Sequence, residues 1–131
     1  MSRNIFSIAL ILVIGVGLFS CKDERPDPAD IFFPDTVSYI KHVQPLFDGA
    51  CAFPGCHGDD TKEVRGFSLT DYNDFMYSPN RIVFRGDPDA SPLIQRVEGR
   101  VIPRMPPDRP PLNKNQTDGL RRWILQGAKQ D

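Results

Sequence analysis

The sequence lacks the motifs of the common catalytic and nucleotide-binding sites. It has no serine-nucleophile motif, no glycine-rich phosphate loop and no convincing pair of acid and base carboxylates. Apolar and polar residues do not alternate over a length that would predict strands. The basic residues form no stripe with interleaved aromatics, so the sequence predicts no nucleic-acid partner. Cysteine and histidine are scarce, with three and two residues among 131. Any chemistry of this chain is therefore expected at those few side chains.

The first twenty residues have the pattern of a secretory signal. Arg3 supplies a positive start, and residues 5–19 form an apolar stretch of fifteen residues, too short for a comfortable membrane span. Leu18, Ser20 and Cys21 resemble a bacterial lipobox, in which the cysteine is lipidated. An ordinary signal peptide with Cys21 as a free thiol is the alternative. We predict an exported protein, anchored in the cell envelope through lipid on Cys21, in the periplasm or at the outer membrane or cell surface.

The sequence divides into three parts. Residues 1–20 are predicted to be a signal peptide of the lipoprotein type. Residues 21–34 are rich in charge and proline, which predicts a disordered tether that begins at the lipidated Cys21. Residues 35–131 have the length of one small compact domain. The charge is uneven, with a net −6 over residues 21–80 and +4 over residues 81–131. This asymmetry would steer docking to a partner protein, or is simply solvated surface charge.

Helical spacing of apolar residues marks the start of the domain. Val37, Ile40, Val43 and Phe47 recur at intervals of three or four residues, which predicts a helix with these side chains on its buried face. Pro45 should bend or restart this helix, because proline has no backbone N–H for the helical ladder. The helix would deliver the chain to the first cysteine of the domain.

Capping residues predict three further helices. Asp71 and Ser91 stand at the starts of short apolar segments, and the last helix is expected to begin near Asn113 and to end at Gly127. Between them, residues 103–111 contain five prolines and can be neither helix nor central strand. The domain is therefore predicted to be all-α with long loops. Loops of this length in so small a domain indicate an additional organising element, and a cofactor would be one.

The stretch between Cys51 and His57 carries the most specific signal. Two cysteines followed directly by a histidine form the arrangement that attaches c-type haem. Each thiol can add to one haem vinyl group, and the imidazole of the next residue then serves as the proximal iron ligand. Four residues separate Cys51 from Cys56, whereas the usual spacing is two. Pro54 and Gly55 make the wider turn plausible, because proline fixes φ and glycine permits a positive φ.

Two readings without haem compete for the same residues. Cys51, Cys56, His57 and His42 would together make a Cys₂His₂ zinc set, although their spacing matches no common zinc finger. A simple disulfide between Cys51 and Cys56 is the other reading, since disulfides persist in exported proteins.

Met105 is the candidate for the second iron ligand. A c-type iron often takes a methionine opposite the histidine, which raises the reduction potential. Met76 and Met105 both follow His57. Met76 sits at helical spacing in an apolar patch, which favours core packing. Met105 lies in a proline-stiffened loop that would hold its unbranched thioether at a fixed distance from the iron.

Four segments in register resemble a known family. Residues 51–58, 86–93, 105–107 and 123–128 occur in the order and composition typical of the class I cytochrome c-like domain found in planctomycete and Bacteroidetes extracellular cytochromes. The resemblance covers residues 36–128. It implies a small all-α cytochrome c-like fold with one covalent haem on Cys51 and Cys56, His57 as proximal ligand and Met105 as distal ligand. It also implies that an N-terminal helix crosses the C-terminal one, with five side chains filling the crossing: Val43, Leu46, Phe47, Trp123 and Ile124.

The resemblance predicts an electron carrier rather than an enzyme. The expected function is one-electron transfer to a redox partner protein at the cell envelope by a lipid-anchored monohaem cytochrome c. One alternative is a haem sensor or peroxidase-like domain with an open sixth position. The other is a structural or binding lipoprotein without haem, in which Cys51 and Cys56 form a disulfide or bind zinc.

Overall fold

The structure is a computed structural model and describes residues 25–131, so the predicted signal peptide and Cys21 lie outside the described residues. Five α-helices form the domain: α1 (Gln44–Ala50), α2 (Lys62–Arg65), α3 (Tyr72–Met76), α4 (Pro92–Val97) and α5 (Lys114–Leu125). No strand occurs in residues 25–131, which confirms the predicted all-α class. None of the helices in this range is both long and apolar enough to cross a membrane.

The predicted first helix is built from two pieces. A π-helical turn, Tyr39–Val43, runs directly into α1, and Pro45 lies in the first turn of α1, so the helix restarts there as predicted. The expectation that Ile40 lies on the buried face is wrong, because its side chain is 62% exposed. The helix begins only at Tyr39, and the wide π turn places Tyr39 and Val43 on the inner side.

The three capped helices are confirmed. The Asp71 side chain accepts a hydrogen bond from the Asn73 N–H at the start of α3, and Ser91 directly precedes α4. Asn113 and Gln116 exchange side-chain and backbone hydrogen bonds at the start of α5, which is a complete capping box. Gly127 follows α5 with a φ of 97°, as expected for a glycine that ends a helix.

A single apolar core joins these helices. Five residues that the family resemblance assigned to a helix crossing are buried in it: Val43, Leu46, Phe47, Trp123 and Ile124. The ring of Tyr39 lies 5.7 Å from that of Trp123, so aromatic packing connects the π turn to α5. This core leaves the stretch after α1 and the loop after α4 at one side, where the predicted site residues lie.

The segment 25–34 differs from the predicted disordered tether. Phe33 is 1% exposed, and its backbone N–H donates to Asn115 Oδ1 at 2.8 Å. Its carbonyl oxygen accepts from Asn115 Nδ2 and Arg122 Nη2 at 3.0 and 3.1 Å. A 3₁₀ turn, Pro28–Asp30, lies against α1. The burial of Phe33 and the hydrogen bonds from α5 offset the conformational entropy that this segment loses when it becomes ordered. Composition alone predicted that this entropy cost would leave the segment disordered.

Two helical glycines make this close approach of the segment feasible. A Cβ atom on Gly49 in α1 would lie 2.5 Å from the Pro26 oxygen, and one on Gly119 in α5 would lie 2.2 Å from Phe33 Cγ. Real Cβ atoms essentially never come within 3.0 Å of another heavy atom, so only glycine leaves room at either position. The two glycines therefore allow residues 26–33 to pack closely against α1 and α5.

We expect Gly119→Ala to destabilise the domain by about 1–3 kcal/mol, the usual cost of overpacking. Alanine would ordinarily gain roughly 1 kcal/mol over glycine within a helix, but here its methyl group must displace the Phe33 ring. Urea denaturation of the full chain measures the effect. Asp118→Ala, which removes an exposed ion pair with Lys114, should change stability by less than about 1 kcal/mol. If the Gly119→Ala protein is as stable as the original, the Phe33 ring does not pack against Gly119.

Candidate functional site

A closed turn follows α1 and holds the two cysteines of the domain. The Cys51 carbonyl oxygen accepts from the His57 N–H at 3.2 Å, and the Phe53 carbonyl oxygen accepts from the N–H groups of Cys56 and Gly58 at 3.0 and 3.1 Å. Gly55 takes a φ of 78° and donates its N–H to Asp60 Oδ2 at 2.8 Å. The four residues between the cysteines thus form a defined turn, for which a positive-φ glycine is needed.

The backbone of His57 is fixed by hydrogen bonds, whereas its ring is held by stacking. Besides its bond to Cys51, its carbonyl oxygen accepts from the Leu69 N–H at 2.9 Å. Its ring stacks on Phe67 with centroids 4.9 Å apart, while its buried Nδ1 has no hydrogen-bond partner in the described part of the chain. Burial, and to a smaller extent the positive charge of Arg65, lower the pKa of His57 below its ordinary value. The ring is therefore neutral near pH 7, which is the form that binds metal.

Met105 is positioned by the end of α4. Its backbone N–H donates to the Arg96 carbonyl oxygen at 2.9 Å, and Arg96 Nη1 donates to the Pro103 carbonyl oxygen at 3.2 Å. These bonds fasten the loop on both sides of Arg104 to the last turn of the helix. The thioether is half-buried against the core. Met76 packs on the core elsewhere, in α3, and lines neither of the cavities beside the cysteines.

Two adjoining cavities bring the predicted residues together. Their volumes are about 350 and 120 Å³. Cys51, His57 and Met105 line both cavities, and Cys56 lines the smaller one. The walls of the larger cavity are mainly apolar: Phe67, Leu69, Ile82, Leu93 and Val97. A volume on the order of 300–1,000 Å³ with apolar walls and few polar groups is typical of cofactor sites.

The charged groups that line these cavities are all cationic. Arg65 and Arg96 line the larger cavity, Arg65 and Arg109 line the smaller one, and no acidic side chain is among the lining residues that the structure describes. An apolar cavity edged by arginines suits a flat apolar ligand that carries carboxylates, because guanidinium groups pair with carboxylates in two-point geometry. Haem, with its porphyrin face and two propionates, has that chemistry.

Both thiols in the described residues are free. Burial raises the pKa of the half-buried Cys51 to about 12, and the neighbouring Cys56 contributes a smaller rise. With both thiols free, the structure contains no disulfide between Cys51 and Cys56.

His42 does not reach the cysteines. Its Nδ1 accepts from the Ser38 N–H at 3.0 Å, and its ring lies 5.9 Å from that of Phe33. Within residues 25–131, no group of three or more histidine, cysteine or acidic side chains could hold a metal ion. The zinc set that includes His42 is therefore not assembled.

A third cavity, of about 420 Å³, shares Ala50, Pro106 and Arg109 with the smaller of the two cavities beside the cysteines. Residues of the N-terminal segment and of the proline-rich loop line it, among them Asp27, Gly49 and Pro110. None of the four predicted haem residues faces this cavity, so its larger volume does not make it the functional site.

Several residues of the site carry no signal in the sequence. Phe67 lies ten residues beyond His57 and stacks on it, and Arg65 and Arg96 come to one cavity from separate helices. Arginines at these positions belong to no spacing pattern, and they meet only because α2 and α4 flank the same opening. The sequence singles out the cysteines, His57 and Met105 as candidates because a motif and a proline-stiffened loop mark them.

Comparison with known families agrees with the site. Residues 54–109 match the family described as planctomycete cytochrome C. The match includes Cys56, His57 and Met105 and begins three residues after Cys51. No curated protein and no solved structure is significantly similar to the chain. The family match, the all-α fold of residues 25–131 and the cavities beside the cysteines support a cytochrome c-like domain of the planctomycete type.

Proposed function

We propose that this protein is an exported, lipid-anchored monohaem c-type cytochrome that transfers single electrons at the cell envelope. One observation carries the proposal: two free thiols and an imidazole from the turn after α1, and a thioether from the loop after α4, line one pair of adjoining apolar cavities. This donor set is the one that c-type haem requires. The family match over residues 54–109 supports the same conclusion.

Each residue has a distinct part in this function. Cys51 and Cys56 would bind the porphyrin covalently, and His57 and Met105 would be the two protein ligands of the iron. A bound haem would supply a couple of ferric and ferrous iron that exchanges one electron. The apolar walls of the larger cavity would keep water away from a bound haem, which together with a thioether ligand would favour a raised reduction potential. Arg65 and Arg96 would pair with the propionates at the cavity edge.

A reversible one-electron titration tests the electron-carrier function. The haem-loaded protein should titrate as a single transition with a slope of about 59 mV per tenfold change in the ratio of oxidised to reduced protein. Because Met105 would occupy the sixth position, the reduced protein should bind carbon monoxide slowly or not at all. Fast binding without denaturant would instead favour the sensor or peroxidase-like alternative.

The partner is proposed to be a redox protein of the cell envelope. The signal-like residues 1–20 support export, and the family match supports an electron carrier rather than an enzyme. The net charges of −6 and +4 on the two parts of the chain would orient such a partner.

The lipid anchor is proposed from the lipobox-like residues that precede Cys21. Three residues separate Cys21 from Arg25, where the described part begins. At about 3.3–3.6 Å per residue, the domain would be held within roughly 15 Å of the lipid. We expect Cys21→Ser to release the protein from the membrane fraction while haem attachment continues. Persistent membrane association of a Cys21→Ser protein from which the signal has been cleaved would contradict the anchor.

A further inference from the structure

The two additional residues between Cys51 and Cys56 place an aromatic ring beside the methionine loop. Phe53 lies in the turn between the cysteines, and the guanidinium carbon of Arg109 is 4.0 Å from the centre of its ring. Arg25 lies over the same ring at 4.9 Å. A cation within about 6 Å of an aromatic ring centre is attracted to the ring face. The contact with Arg109 links the haem-attachment turn directly to the loop that carries Met105.

Arg109 is tightly connected to Met105. Only three residues separate them, two of which are prolines that restrict the backbone. Arg104, on the other side of Met105, donates from Nη2 to the Arg109 carbonyl oxygen at 2.9 Å. The segment between Arg104 and Arg109 is thus closed on itself, and a displacement of Arg109 would move Met105 as well.

The part of the loop that follows Met105 has few hydrogen bonds to hold it in place. Before Met105, backbone bonds to α4 hold residues 100–105. After Met105, residues 106–112 include four prolines, and no backbone N–H of these residues donates a hydrogen bond within the described chain. The side-chain contact of Arg109 with Phe53 is therefore well placed to hold the far half of the loop against the turn. Arg109 also lines the smaller cavity together with Met105 and both cysteines.

We propose that Phe53 and Arg109 form a clasp that keeps the Met105 loop closed over the haem. The wide spacing of the cysteines then has a purpose, since it supplies the aromatic half of the clasp. This inference rests on the proposed function. Phe53 and Arg109 are positioning residues, because they act on the iron only through the placement of Met105.

Exogenous imidazole, which competes with Met105 for ferric iron, measures the clasp. We expect Phe53→Leu and Arg109→Gln each to raise the apparent affinity for imidazole about two- to five-fold, the range that a partly exposed cation–π contact provides. Phe53→Leu keeps every charge at the cavity, so its effect does not arise from altered propionate pairing. Phe53→Tyr keeps the ring face and should restore the original affinity. Imidazole binding is monitored by the loss of the methionine–iron charge-transfer band. Intact-mass measurement checks that each variant still carries covalent haem.

A double-mutant cycle separates the clasp from general loosening. The protein with both Phe53→Leu and Arg109→Gln should bind imidazole no more tightly than the stronger single variant, because both changes remove the same contact. Arg81→Gln is the matched control, since Arg81 makes a similar contact, 5.0 Å from the ring centre of Phe84, and lines neither cavity beside the cysteines; it should leave the imidazole affinity unchanged.

Three results would overturn the proposal, and they differ in what they imply for the function. Single variants that bind imidazole as the original protein does, or whose effects add fully in the double variant, would refute the clasp while leaving the haem function intact. Absence of a methionine–iron band in the original protein would remove Met105 as ligand, and the clasp would then have nothing to hold.

Discussion

Simultaneous replacement of Cys51 and Cys56 by serine is expected to abolish covalent haem completely. Each thioether forms from one thiol, so the double variant has no thiol left in the turn after α1 that could bond the vinyl groups. Single variants should retain one bond and therefore some covalent haem, at reduced yield. Intact-mass measurement after denaturation separates these cases, because only covalent haem survives unfolding.

The third cysteine supplies the control for this experiment. Cys21 lies outside the described residues and is proposed to carry lipid rather than haem, so Cys21→Ser should carry as much covalent haem as the original protein. Covalent haem on the double variant would mean that another residue attaches it. Full loss in Cys21→Ser would mean that the assignment of the three cysteines is wrong.

Replacement of Met105 by alanine is expected to leave covalent haem in place and to lower the reduction potential by on the order of 100 mV or more, within the roughly 0.8 V range that axial ligands control. The methionine–iron charge-transfer band should disappear, and carbon monoxide should bind the reduced protein rapidly. The physical reason is that a thioether favours ferrous iron, and its loss leaves water or an open position in its place.

Met76→Ala is the matched control for Met105. Met76 packs on the core in α3 and lines neither of the two cavities beside the cysteines. Its replacement should lower stability through the lost packing but should preserve both the band and the potential. A potential that falls equally in both variants would indicate a general loosening of the domain, and an unchanged spectrum in Met105→Ala would remove Met105 from the site.

Much of this fold could be predicted because its signals are local. The caps at Asp71 and Asn113 fix the starts of α3 and α5, and Gly127 fixes an end. The attachment motif is a run of seven residues, and Met105 stands out among prolines. Each of these features acts within a few residues of itself, so a single sequence is enough to read it.

The parts that were missed depend on contacts between distant segments. Phe33 sits on Gly119, 86 residues later in the chain, and glycine within a helix ordinarily indicates only weak helix formation. The segment before Phe33 is charged and rich in proline, so its composition predicted disorder. The packing of Phe33 against Gly119 orders the segment instead. Ile40 faces solvent because a π turn alters the helical phase, which no spacing rule anticipates. The pairing of Phe53 with Arg109 likewise exists only once the turn and the loop have met.

A pyridine haemochrome spectrum, with haem quantified per chain, tests the central claim most directly. The protein should be produced alongside a c-type haem attachment system, and non-covalent haem should be removed by denaturing extraction before measurement. We expect one haem per chain with the α-band of a haem held by two thioether bonds. A colourless protein that retains full helicity would contradict the account, and the electron-transfer function would be lost along with the haem.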